Sequence, residues 1–207
     1  KYIIQFEKEY IEQQNLLKID ILSIANLSIV KNCLALVKQN KNIDLTLDQI
    51  PYDDKNAINL IAKNKTMGLF QLESVGMRKT ISLIKPTSFI DVATIIALYR
   101  PGPMDNIVAF AKRKNNKTSA TYSSAELNNI LKETYGTIVY QEQIMQIANK
   151  IASFDFAHAD LLRSAISKKK ANKLISYRKD FIDGAIKNGY SQDFAEKLFT
   201  KIEKFGD

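Results

Sequence analysis

Along most of this chain apolar residues recur every three or four positions, the spacing that lines one face of an α-helix. Residues 142–151 place Ile144, Ile147, Ala148 and Ile151 on one stripe, as a helix packed on a core would. Residues 154–167 follow the same rule. Leu161, Leu162, Ala165 and Ile166 form an apolar face, and Arg163, Ser167 and Lys170 an opposite polar one. Further helices are predicted at 6–14, 24–38, from a cap in 53–57 through 62, through 78 to 84, and at 88–97, 105–113, 126–133, 170–187 and 191–205. Several boundaries carry chemical signals. Ser88 with Asp91 three residues later is a capping pair, Lys85-Pro86 stops the preceding helix, and Arg100-Pro-Gly-Pro103 breaks the backbone. Tyr135-Gly136 and Asn188-Gly189 end two more helices. A short strand or turn precedes the first helix, and residues 16–21, Leu-Leu-Lys-Ile-Asp-Ile, read as a strand with Asp20 at its end, where a carboxylate avoids the cost of burial. The fold class is therefore mainly α, with a short strand-containing edge at the N-terminus.

Composition narrows the chemistry. Hydrophobic residues make up 45% and charged residues 25% of 207, ordinary for a globular protein. No apolar run approaches the ~20 residues that cross a bilayer, and Lys1–Gln5 lacks the zones of a secretory signal, so a cytoplasmic, membrane-free protein is expected. Cys33 is the only cysteine and His158 the only histidine, which argues against a disulfide framework, a cysteine-based zinc site and a Ser-His or Cys-His nucleophile. The net charge of +8 is concentrated in two stretches. Residues 106–125 carry Lys112, Arg113, Lys114 and Lys117 without an acid. Residues 160–180 carry Arg163, Lys168, Lys169, Lys170, Lys173, Arg178 and Lys179 against Asp160 and Asp180. Clusters of this kind suit a polyanion, and a stand-alone basic helical module that binds nucleic acid would satisfy them.

Five segments in order say more than the charge. They are Lys18-Ile-Asp-Ile-Leu22, Gly68-Leu-Phe-Gln-Leu-Glu-Ser-Val-Gly-Met-Arg78, Ala97-Leu-Tyr-Arg-Pro-Gly-Pro-Met104, Glu133-Thr-Tyr-Gly-Thr-Ile-Val-Tyr-Gln-Glu-Gln-Ile-Met-Gln-Ile-Ala148 and Ala159-Asp-Leu-Leu-Arg-Ser-Ala-Ile-Ser-Lys-Lys-Lys170. Together they resemble the bacterial DNA polymerase III alpha subunits, the C-family replicative polymerases, in their DnaE-type branch. The resemblance runs the length of the chain and implies a fragment: residues 1–35 as the C-terminal edge of a palm, 36–207 as a fingers domain cut short at its C-terminus.

By that resemblance Asp20 matches the third of three metal-binding palm aspartates, the other two lying upstream in the family. Nucleotide addition there uses two Mg²⁺ ions, which take hard oxygen ligands. The resemblance likewise assigns Lys18, Arg163 and Lys168 to the incoming nucleotide. Arg100, Lys112, Arg113, Lys169 and Lys170 are expected to meet DNA. Primer–template DNA, dNTPs and other replisome subunits are the implied partners, and the chain alone is expected to be inactive. Two positions depart from the family pattern: Ser164 stands where a second arginine is usual, and Ser23 where glycine is. The role of 140–143, Tyr-Gln-Glu-Gln, stays open at this level.

Overall fold

A computed structural model of the chain describes residues 3–116, 122, 124–167 and 171–205. It is mainly α, and it divides into two compact units, 1–51 and 52–207. The first contains α1 (Lys8–Gln13), α2 (Ala25–Lys41) and a 3₁₀ turn at Leu47–Gln49. None of its described side chains is buried, and Leu27, Ile29 and Leu36 of α2 are exposed.

The strand expected at 16–21 does not form; this stretch has no regular structure, and Leu17, Ile19 and Ile21 are exposed. A strand is stabilised by a ladder partner and a buried face. Among the described residues neither is present for this stretch.

The second unit contains α3 (Lys55–Ala62), α4 (Val75–Ile84), α5 (Phe89–Leu98), α6 (Ile107–Asn115), α7 (Ala125–Ile130), α8 (Gln141–Ala152), α9 (Phe156–Ser167), α10 (Ala171–Lys187) and α11 (Gln192–Lys204). Its apolar stripes build two cores. Ile58, Met77, Ile81, Ile84, Ile95, Leu98 and Phe110 join α3–α6, while Leu127, Ile147, Leu162, Phe181 and Phe199 join α7–α11. The stripe predicted in α8 is buried at all four positions, Ile144, Ile147, Ala148 and Ile151.

Local chemistry sets most helix ends where the residues indicated. Asp54, Ser74, Ser88, Ser124 and Ser191 each accept a backbone N–H of the first turn they precede. The Ser88–Asp91 pair closes a full capping box. Several boundaries moved. The helix expected at 126–133 stops at Ile130 and yields to a 3₁₀ turn, Lys132–Thr134, closed by left-handed Tyr135. Lys114, one residue beyond the helix expected at 105–113, lies inside α6 and is buried. Its ammonium donates to the Lys85 carbonyl at 2.8 Å and faces Asp91 at 3.3 Å. Asp91 also accepts from the Thr87 and Ser88 backbone, so one carboxylate ties the α4–α5 turn to α6.

In the C-terminal core, α8 and α10 approach closely. A Cβ on Gly184 would overlap the Ala152 carbonyl oxygen, and Asn188 donates to the Ile151 carbonyl at 2.9 Å. His158 lies in the first turn of α9. Its ring is half-buried, stacked on Phe154 at 4.0 Å and tilted against Tyr177.

The two cores meet along residues 137–140. Ile138 belongs to the C-terminal core and Val139 to the N-terminal one. Gln143 secures this seam: its Oε1 accepts from Val139 N at 2.9 Å and Tyr140 N at 3.0 Å, while Nε2 donates to Thr134 Oγ1 at 2.9 Å. Gln143→Ala strands these groups in a buried setting, at ~1–3 kcal/mol for each group left unsatisfied. Denaturant unfolding is expected to show a loss of about 1 kcal/mol or more, the sum over those groups, and an unchanged midpoint would remove Gln143 from this role.

Candidate functional site

Helix α9 begins on an Asp155 cap, whose carboxylate accepts His158 N–H at 2.7 Å. Ala159, Leu162, Ala165 and Ile166 bury its inner face. Leu161, placed on that face from spacing, is exposed at 57%. At 3.6 residues per turn it lies roughly 100° from Leu162, outside the arc that meets α8 and α10. Arg163 and Ser167 do share the outer face, and a residue from α8 joins them. Arg163 Nη1 donates to Gln141 Oε1 at 2.9 Å, Arg163 Nε to Asp160 Oδ1 at 2.8 Å, and Gln141 Nε2 to Ser167 Oγ at 3.4 Å. Gln141, from the stretch left open in the sequence, thus fixes a guanidinium across two helices. Arg163 is the only arginine of α9, with uncharged Ser164 beside it. Lys168, Lys169 and Lys170 lie outside the described residues.

Lys18 and Asp20 belong to the first unit. They pair with each other in an exposed, extended segment, where positions i and i+2 share a side. The Asp20 carboxylate is the hard donor that Mg²⁺ takes. Among the described residues no three His, Cys, Asp or Glu side chains cluster as a metal site.

The cations of 106–125 separate by environment. Lys112 is exposed on α6, Lys114 is the buried partner of Asp91, and Lys117 lies outside the described residues. Arg113 donates through Nη1 to the Tyr135 carbonyl at 3.3 Å and Thr137 Oγ1 at 3.2 Å. Arg100 donates from Nε to the Ala97 carbonyl at 2.9 Å, bracing its own turn beside an apolar pocket lined by Phe70, Met77 and Tyr99. Arg178 is taken up by Glu203 at 2.7 Å and by the Phe199 ring.

Sequence reasoning missed two cations. Lys201 and Lys204, in the last turn of α11, line one cleft of about 510 Å³ with Arg113 and Tyr122. Their only signal was a basic helix end, which the helix dipole already favours. Partial desolvation, with the Arg113 charge adding to it, lowers the Lys201 ammonium below the usual lysine range. Burial raises the Tyr122 phenol above the usual tyrosine range, against an opposing pull from Arg113. Burial, aided by the Asp91 charge, raises Tyr135 as well.

A helical unit of two cores, with a guanidinium held on the outer face of its basic helix, is the architecture carried by residues that a known family shares. Residues 26–189 match the bacterial DNA polymerase III alpha subunit finger domain, and the chain belongs to that family. The chain is 41% identical over 206 residues to DNA polymerase III subunit alpha of Bacillus subtilis (strain 168), covering 100% of this chain and 18% of that protein. It is 44% identical over 196 residues to the proteins of the same name from Staphylococcus epidermidis (strain RP62A) and Staphylococcus aureus (strain COL), covering 95% of this chain and 18% of each. The chain thus spans under a fifth of the curated relatives it matches.

The raised phenols give a pH test. Tyr122 and Tyr135 keep their protons to higher pH when folded than when unfolded. Above the ordinary tyrosine value of about 10 the unfolded chain therefore holds fewer protons, and stability falls as pH rises. With the lowered Lys201 ammonium opposing this trend in both proteins, unfolding midpoints between about pH 9 and 11 should decline less steeply in Tyr122→Phe. Equal declines in the two proteins would count against a buried Tyr122 phenol.

Proposed function

We propose that this chain is the fingers segment, with the adjoining palm edge at 1–35, of a bacterial replicative DNA polymerase catalytic subunit. The longer protein catalyses template-directed DNA synthesis by nucleotidyl transfer, with primer–template DNA and dNTPs as substrates and other replisome subunits as cytoplasmic partners. The observation that carries this reading is the 41% identity that extends over the whole chain.

In this reading the fingers neutralise and orient the triphosphate. Arg163 is suited to it: the side chain is ordered by Gln141 and Asp160, yet its group remains at the surface. An exposed pair of this kind is worth only ~0–1 kcal/mol, so a triphosphate with several anionic oxygens displaces Asp160 at little cost. The planar guanidinium then forks onto two of those oxygens. Lys18 and Lys168 add point charges, and Arg100, Lys112, Arg113, Lys169 and Lys170 face DNA. Asp20 would be one of the carboxylates that hold Mg²⁺, and the ion would supply activation of the primer hydroxyl and stabilisation of the leaving oxygen. Ser164 leaves α9 with a single guanidinium, so this helix depends on Arg163.

Two outcomes test the reading. The isolated chain, given Mg²⁺, dNTPs and primed DNA, should produce no template-dependent extension, and extension by it would contradict the assignment of the remaining carboxylates to the longer protein. In the full-length polymerase, Arg163→Ala should lower kcat/KM for dNTP by about 10²-fold or more, a loss of charge-assisted binding to the transferring group, while primer–template affinity stays level. A loss confined to DNA affinity would make Arg163 a backbone contact instead.

A further inference from the structure

The cleft formed by α6, the turn at 135–138 and the last turn of α11 gathers Arg113, Lys201 and Lys204. Elsewhere in the described residues cations near carboxylates pair with them: Lys38 with Asp44, Lys114 with Asp91, Arg163 with Asp160, Arg178 with Glu203 and Lys197 with Asp193. Asp105 lines the cleft, yet among the described residues none of the three cations makes an ion pair. Glu203, which lies between the two lysines in sequence, is committed to Arg178 at 2.7 Å.

The cleft is also built. Arg113 is fixed through Nη1 by Tyr135 and Thr137, and its planar fork carries five N–H donors in all. The Lys201 ammonium sits over the Tyr122 ring, 5.0 Å from its centroid, and Tyr122 donates its hydroxyl to the Gly136 carbonyl at 2.6 Å, which locks the ring. Lys201 is an exposed residue, yet its ammonium is partly desolvated and feels the Arg113 charge. Cations held together in this way repel unless an anion joins them.

We propose that this cleft binds a phosphate group of a nucleic-acid strand, with Arg113 forking onto its oxygens and Lys201 and Lys204 acting as point charges beside it. Phosphate chemistry stands on the cleft itself; the strand as its source rests on the polymerase reading above. Lys201 and Lys204, three positions apart on α11, start from Cβ atoms about 5–6 Å apart on one side of the helix, so both can reach one strand. Such a contact positions a strand and reads no sequence.

The test uses this chain with two probes: a labelled single-stranded oligothymidylate followed by fluorescence anisotropy across a salt series, and inorganic pyrophosphate followed by calorimetry. Lys201→Gln/Lys204→Gln is compared with Lys187→Gln/Lys197→Gln, an equal charge change outside the cleft. The cleft variant should weaken strand binding about tenfold, and flatten log Kobs against log salt by about 0.7 for each phosphate it no longer neutralises, while the control keeps the slope. Strand binding with equal slopes in both variants overturns the cleft and leaves the nucleic-acid reading standing. Pyrophosphate binding that depends on the cleft, with no strand binding even in the unaltered chain, overturns the strand as source and counts against that reading. Binding of neither probe overturns the proposal. Should the double variant fail to fold by circular dichroism, exposed Lys204→Gln alone must flatten the slope, and an unchanged slope there is again an overturning result.

Discussion

One buried amide supports much of the second unit. Residues 137–140 run between two apolar cores, and consecutive residues of an extended segment point to opposite sides. Ile138 can therefore enter one core while Val139 enters the other. The backbone N–H groups at this seam have no helix or sheet to receive them, and Gln143 Oε1 takes those of both Val139 and Tyr140. Tyr140 adds a hydroxyl bond to Thr94 Oγ1 at 2.8 Å, reaching across to α5. This constraint sets where α8 begins. That start places Gln141 against α9, and Gln141 orders Arg163. Core packing and a candidate nucleotide contact thus share one origin, in the first turn of α8.

Charge in this chain has several fates that composition merges. Lys114 and Asp91 form a buried pair, where each partner keeps the other from being left uncompensated. Arg178 and Glu203 brace α10 against α11. Arg100 commits a donor to its own turn, and Arg113 is fixed by a carbonyl and a hydroxyl that leave its charge unneutralised. A stretch that reads as a uniform basic patch therefore divides into internal struts and groups able to meet a polyanion. The proposed division of labour follows: α9 for the nucleotide, and the Arg113–Lys201–Lys204 cleft for a strand.

The first unit follows a different rule. Its helices form, yet none of its described side chains is buried, and residues 16–21 do not become a strand. Lys18 and Asp20 hold each other in an exposed segment. A strand is a property of a pair, and among the described residues no segment pairs with 16–21.

Helix positions and caps were legible in the sequence because the interactions that set them span four residues or fewer. Ser88 with Asp91 and the apolar stripe at 144, 147, 148 and 151 stand as their spacing implied. The family was legible as well, since its ordered motifs are read from residue identity and order alone. Tertiary structure alone decided that Leu161 faces solvent, that Gln143 joins two cores, that Lys114 is buried, and that α11 brings Lys201 and Lys204 to Arg113. Each of these turns on partners that are distant in sequence, or on which arc of a helix its neighbours cover. Local propensity carries no record of either; the packing of the helices supplies it.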